Sequence, residues 1–200
     1  MNKSSVGPLL PRNKNWIRKM IGKFLLFSYR WSLDGDIHNS SKLIIILAPH
    51  TSYWDFLSNM GTLLALGLQG QWLIAKEFCW WPLGVLLKWL GAIPIDRNSS
   101  QNIVTQMIDK INSSEKLLFA LYPEGATRKV QKWKTGFWHI ADETSTPIQI
   151  LKVDYSTRSS IFSSVIETSG DINRDMKLIQ NYFKGIKSKN PEKFGGEYID

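Results

Sequence analysis

Apolar residues along this chain fall into two kinds of pattern, and the alternation between them predicts the fold. Trp16-Ile17, Met20-Ile21 and Phe24-Leu25 recur every fourth residue, with Arg18, Lys19 and Lys23 between them. That spacing predicts an amphipathic helix with a basic face. It is too short and too charged to span a bilayer, and can either lie in a membrane interface or pack on its own domain. Leu43–Ala48 is a continuous apolar run rich in isoleucine, the pattern of a strand covered on both faces. A helix is predicted over 54–67 and a strand over 71–75.

The stretch from Phe78 to Ile95 is the most hydrophobic of the chain, but Pro82, Gly84, Lys88, Gly91 and Pro94 interrupt it. It therefore predicts a helix around 82–90 and a strand near 92–95, with no bilayer-spanning segment. Ile103, Met107, Ile108 and Ile111 mark a helix over 101–112 that leads into a strand at 117–121. A helix at 136–142, strands at 147–154 and 162–167, and a last amphipathic helix carrying Ile172, Met176, Ile179, Phe183 and Ile186 complete the pattern. Strands alternating with helices predict a single α/β domain, a largely parallel central sheet flanked by helices, with the basic amphipathic helix at its N-terminus. The expected division is a flexible lead-in and interface helix over 1–30, then the main domain over 31–200.

Composition narrows the function. The net charge of +8 favours anionic partners. No zinc-finger spacing or RNA-binding aromatic signature accompanies it, so nucleic acid is not an expected partner. Trp31, Trp89 and Trp133 each sit beside Lys or Arg, and Trp16 lies two residues from both Lys14 and Arg18, a pairing that suits the boundary between water and lipid headgroups, although a tryptophan equally fills a core. Cys79 is the single cysteine, which excludes an intrachain disulfide and a cysteine-rich metal site. The N-terminus lacks a continuous apolar core followed by a small-residue cleavage site, so no secretory leader is expected.

Three histidines are available as a base near neutral pH. His38 lies in a polar loop and His139 in an aromatic helical segment, and surface or packing roles suit both. His50 directly follows the 43–48 strand, and Asp55 stands five residues on. In a parallel α/β sheet, sites form beyond the carboxyl ends of strands. A carboxylate in the first turns of the following helix can fold back to the imidazole, fix its tautomer and stabilise the imidazolium. Phosphate-binding candidates lie at two further strand ends. These are Arg97, after Gly91-Ala92-Ile93-Pro94-Ile95-Asp96, and Arg128, in Tyr122-Pro123-Glu124-Gly125-Ala126-Thr127-Arg128-Lys129. Gly125 would let backbone approach a ligand, and Lys132-Trp133-Lys134-Thr135-Gly136 adds positive charge ahead of a helix N-terminus.

Taken in order, these segments resemble the signature blocks of the glycerolipid acyltransferases, the family that includes the lysophosphatidic acid acyltransferases. His50 and Asp55 match its His-x4-Asp block, and residues 91–97 resemble its Gly-x-Ile-x-Ile-Asp-Arg block. Tyr122–Arg128 resembles its Phe-Pro-Glu-Gly-Thr-Arg-Ser block, and Thr146–Ile150 its proline-led apolar strand. Two departures stand out. Pro49 precedes the histidine where the family often has Asn, and Ala126 shifts the Thr-Arg pair one place along.

The resemblance implies an O-acyltransferase that needs no cofactor and no metal. Its donor is acyl-CoA or acyl-carrier protein, its acceptor a lysophospholipid, by default 1-acyl-glycerol-3-phosphate. His50 is the implied general base, oriented by Asp55. Arg97, Glu124, Gly125, Arg128 and Lys134 are the implied substrate-binding residues. The expected location is peripheral, on the cytoplasmic face of a membrane rich in anionic lipid. A serine hydrolase is disfavoured because Ser52 lies in no Gly-x-Ser-x-Gly elbow, and a metal hydrolase because no ligand spacing links the histidines. A non-catalytic anionic-lipid-binding module would explain the charge and the tryptophans, but not the ordered blocks.

Overall fold

The computed structural model describes residues 6–95 and 100–195. A seven-stranded sheet runs through its centre in the order β1-β7-β6-β2-β5-β3-β4. The strands are β1 (Ser32–Asp34), β2 (Lys42–Ala48), β3 (Gly70–Ala75), β4 (Ala92–Ile95), β5 (Leu117–Leu121), β6 (Ile148–Asp154) and β7 (Ser159–Ile166). Strands β4, β3, β5, β2 and β6 run parallel, whereas β7 is antiparallel to β6 and β1 follows the direction of β7. Six helices connect them: α1 (Trp16–Ser28), α2 (Tyr53–Ala65), α3 (Leu83–Trp89), α4 (Ser100–Ser113), α5 (Gly136–Thr144) and α6 (Ile172–Asn181). The expected α/β architecture is therefore present.

The isoleucine run becomes the central strand because both of its faces are covered. Leu43, Ile45 and Leu47 join Leu118, Leu151 and Leu63 on one side. Ile44 and Ile46 join Phe119, Ile150, Phe137 and Ile179 on the other. Helices α4, α5 and α6 cover this second face, while α2 covers the first and carries α1 on its outside. Such a strand must be apolar at every position, since each side chain meets a core whichever way it points. The same arrangement sends the ends of β2, β5 and β3 to one edge of the domain, where the connecting loops gather.

Three segments differ from the expectation. The lead-in expected to be flexible over 1–15 is held against the domain from residue 6 onward. Leu10 is fully buried, Arg12 bridges to Leu68, and Asn13 and Gln69 exchange backbone hydrogen bonds with Gly67 and Pro11. The last helix stops at Asn181 rather than reaching Ile186, and β1 was too short at three residues to leave a periodic signal.

Helix α1 is amphipathic in an inverted sense. The row Arg18, Gly22, Leu26 is buried, while Trp16, Ile17, Met20, Ile21, Phe24 and Phe27 face outward. Phe27 is 82% exposed, Phe24 68% and Trp16 67%. Gly22 decides this orientation, because a β-carbon there would lie 2.3 Å from the backbone nitrogen of Ala65 in α2. Only a bare backbone permits that approach. Arg18 is accommodated under the Trp89 ring of α3, with the guanidinium 4.9 Å from the ring centroid. Replacing Gly22 by Val should therefore pry α1 from α2 and lower stability by about 2 kcal/mol. Chemical denaturation checks this, and an unchanged midpoint would mean that the helix pair is not close-packed.

Candidate active site

His50 enters the site directly from the end of β2. Its backbone N–H donates to Glu124 Oε1 at 2.6 Å, which ties the loop after β2 to the loop after β5. Its ring stacks on Tyr122, with centroids 3.8 Å apart and planes 20° from parallel. Tyr122 is held in turn by Asn59 of α2, whose Nδ2 donates to the phenol oxygen at 2.8 Å. His50 Nδ1 is buried without a hydrogen-bond partner, which leaves Nε2 as the ring nitrogen available to the adjoining cavity. Burial lowers the pKa of His50 to about 4, because the imidazolium would be poorly solvated there. The ring is accordingly a neutral acceptor of protons at physiological pH.

Asp55 does not make the expected contact with the imidazole. It occupies the third position of α2 and closes a capping box with Ser52, so its carboxylate turns back toward the backbone ahead of the helix. Oδ2 accepts from the N–H groups of Thr51 at 2.6 Å and Ser52 at 2.8 Å, and Oδ1 accepts from Tyr155 Oη at 2.7 Å. With both oxygens committed, Asp55 fixes the loop that carries His50 and not the ring itself. Desolvation raises its pKa, opposed by the hydrogen bonds from Tyr155, Thr51 and Ser52. Helix capping and a histidine–aspartate dyad share the same spacing in sequence, and here the cap prevails.

A cavity of about 770 Å³ opens beside His50 between α2, the ends of β3 and β5, and α4 and α5. Most of its wall is apolar, including Phe56, Met60, Leu63, Trp72, Leu73 and Ile103. Its other end is polar and basic, formed by Gly125, Lys132, Lys134, Thr135 and Gly136. Gly125 has φ +65, and a β-carbon there would press within 3.2 Å of the Lys134 side chain, so this turn favours glycine. The N-terminus of α5 starts at Gly136 without a side-chain cap and lines this part of the cavity. A volume of this size, with a long apolar wall and a compact cationic end, suits an amphiphile with an anionic head.

Of the sequence candidates, His50, Gly125 and Lys134 line the cavity. Glu124 and Asp55 stand behind it, holding backbone. Arg128 is exposed and is not among the residues that line the cavity. Arg97 lies outside the described residues. His38 and His139 are both on the surface. Tyr122, Asn59 and Tyr155 are contributors that the motif blocks did not mark. A tyrosine ahead of Pro-Glu-Gly, in place of phenylalanine, was the one available signal, since its hydroxyl needs a partner when buried.

Glu124 is itself buried, with Oε2 lacking a partner. Desolvation raises its pKa to about 8, partly offset by the His50 N–H and reinforced by Asp55. The two perturbed groups couple stability to pH in opposite directions. His50, lowered from 6.5, contributes stability above about pH 6.5 that is lost as pH falls toward 4. Glu124, raised from 4.5, contributes stability below about pH 4.5 that is lost as pH rises through 8.

Above about pH 6.5 only the glutamate term operates. The protein should lose on the order of 2 kcal/mol between about pH 6.5 and about pH 8.5. The variant Glu124→Gln should lose much less, and urea denaturation at the two pH values makes the comparison. Equal losses in both proteins would show that Glu124 is already ionised in the folded state.

A model of the Acyltransferase family matches residues 34–152, more than half of the chain, and the chain belongs to that family. As an acyltransferase it takes an acyl group from a donor and delivers it to an acceptor. No curated protein sequence matches the chain. Among solved structures, the fold is similar to that of PlsC, the 1-acyl-sn-glycerophosphate (LPA) acyltransferase from Thermotoga maritima. The TM-score is 0.59, and the match covers 87% of this chain and 82% of that one at 15% identity, a likeness of fold alone. The family-matched region holds every wall of the cavity and both His50 and Asp55.

Proposed function

We propose that this protein transfers a fatty acyl group from a thioester, acyl-CoA or acyl-carrier protein, to the hydroxyl of a lysophospholipid at a membrane surface. The default acceptor is 1-acyl-glycerol-3-phosphate. The observation that carries this reading is that half-buried His50, its pKa lowered by burial, lines a cavity whose wall is mostly apolar and also includes Gly125, Lys132 and Lys134.

In this mechanism the acyl chain lies along the apolar wall, and the acceptor phosphate is held by Lys134, the Gly125 turn and the N-terminus of α5. Arg97 is the further phosphate ligand that the sequence motif suggests. His50 Nε2 removes the proton from the acceptor hydroxyl as its oxygen attacks the thioester carbonyl carbon. The tetrahedral intermediate then collapses, the C–S bond breaks, and the imidazolium returns its proton to the departing thiolate. Asp55 keeps His50 in place through the loop backbone, and Glu124 does so from the opposite side.

Residues 1–30 serve as the interface element and 31–200 as the catalytic domain. Among the described residues no helix is long and apolar enough to cross a membrane. The outward row of α1, together with Trp80 and Trp81 ahead of α3, offers an aromatic surface for peripheral attachment. Arg18 under Trp89 joins the two elements.

Acyl-donor consumption, followed with a panel of lysolipids, tests the reaction. His50→Ala should lower kcat/KM by about 10²- to 10⁴-fold in a folded protein. Turnover that survives this change would assign the base elsewhere. Turnover absent with every donor and acceptor would favour a lipid-binding module instead. Because the His50 pKa is lowered, the base form persists in acid, and the acid limb of kcat/KM in the free enzyme should fall near pH 4. A limb near 6.5 would place the ring in water. Attachment has its own test, in which Phe24→Glu combined with Phe27→Glu should abolish sedimentation with anionic vesicles without changing the melting temperature. Undiminished binding would reject α1 as the contact.

A further inference from the structure

The family-matched region ends at residue 152, yet part of what holds His50 comes later in the chain. Residues 187–195 cross the carboxyl ends of three neighbouring strands in the order in which those strands lie in the sheet. Lys187 C=O accepts from the Tyr155 N–H just beyond β6. Asn190 meets the loop after β2, and Gly195 C=O accepts from Trp133 Nε1 in the segment after β5. Lys189 lies 4.4 Å over the Trp54 ring, which anchors the same strap to the first turn of α2.

We propose that Asn190, at the middle of this strap, is a positioning residue for His50. The inference rests on His50 being the base in the reaction proposed above. Its ground is the completeness with which Thr51, the next residue, is bound. The Thr51 N–H donates to Asp55 Oδ2 at 2.6 Å, and the Thr51 C=O accepts from Asn190 Nδ2 at 2.9 Å. Thr51 Oγ1 accepts from the Asn190 backbone N–H at 3.3 Å. Together with the His50 N–H on Glu124, these bonds fix three successive peptides, the two that flank the histidine through Glu124 and Asp55 and the next one through Asn190.

Two of the three anchors, Asp55 and Glu124, belong to the motif blocks. The third comes from a segment that the motifs do not reach. Thr51 is buried, so a carbonyl that loses Asn190 has no water to replace it without rearrangement of the loop. Rearrangement there moves His50, and a displacement of that kind is costly for a group that must meet a proton in flight.

The test compares wild type with Asn190→Ala, Asn190→Asp and Lys193→Ala. Asn190→Asp keeps the shape but donates nothing to the Thr51 carbonyl, and Lys193 is an exposed strap residue that serves as the control. Steady-state kinetics, melting temperature and the side-chain NMR signals of the three histidines are recorded for each. Both Asn190 variants should lose about ten-fold in kcat, with the KM of donor and acceptor within about two-fold of wild type. The His50 signal should move or broaden while those of His38 and His139 stay put, and Lys193→Ala should match wild type throughout.

A kcat within about two-fold of wild type, an unmoved His50 signal, or a loss no greater than the unfolded fraction would overturn the proposal. If Asn190→Ala does not fold, Asn190→Asp carries the same comparison. A wild-type protein that turns over no donor defeats the acyl-transfer reading instead, and the His50 signal then still decides whether Asn190 seats the ring.

Discussion

The arrangement of the site depends on a carboxylate withdrawn from water. Asp55 is fully buried, and its two oxygens are spent on the N–H groups of Thr51 and Ser52 and on the hydroxyl of Tyr155. Burial of that kind is tolerated only when the lone pairs are occupied. The demand runs both ways. The carboxylate requires a loop that presents two backbone donors, and the loop, once so presented, ends β2 with His50 facing the cavity. The helix start, the strand end and the base are thus parts of one hydrogen-bonded unit, and Glu124 and Asn190 close it from outside.

Around this unit the cavity separates its chemistry by the element that supplies each wall. Helices α2 and α4 and the strand ends give apolar surface, because they belong to the core and continue its pattern to the edge. The loops after β5 give glycine and lysine, since loops can turn polar atoms toward a ligand without leaving a core donor unpaired. His50 lines the same cavity. An amphiphile entering such a cavity is aligned by its own polarity, with its junction at the base.

Much of this was legible in the sequence, for reasons that differ from residue to residue. The Leu43–Ala48 run could only be a doubly covered strand, and the motif order then placed His50 at its end. Helix α1 was legible as a helix but not in its orientation. A four-residue apolar spacing says which residues share a face, whereas the facing partner is decided by Gly22 against Ala65, a tertiary contact. Asp55 was found, while the bonds it makes in the structure are those of a cap, which has the same spacing as a dyad. Tyr155 and Asn190 left no signal at all, lying 100 and 139 residues from the groups they hold. Arg128 shows the opposite limit, where a one-residue shift in a motif is visible in sequence but its direction out of the site is not.

The protonation of Glu124 has a consequence for the electrostatics of the cavity. A glutamate beside Gly125 reads, by composition, as a negative charge set against the lysines of the polar end. Burial pushes its pKa up to about 8, so near neutral pH it offsets little of the positive charge that Lys132 and Lys134 bring to the cavity lining. The block that looks acidic in sequence thus carries less negative charge near neutral pH than its composition suggests, and the residue that holds the His50 N–H weakens the attraction for anions correspondingly little.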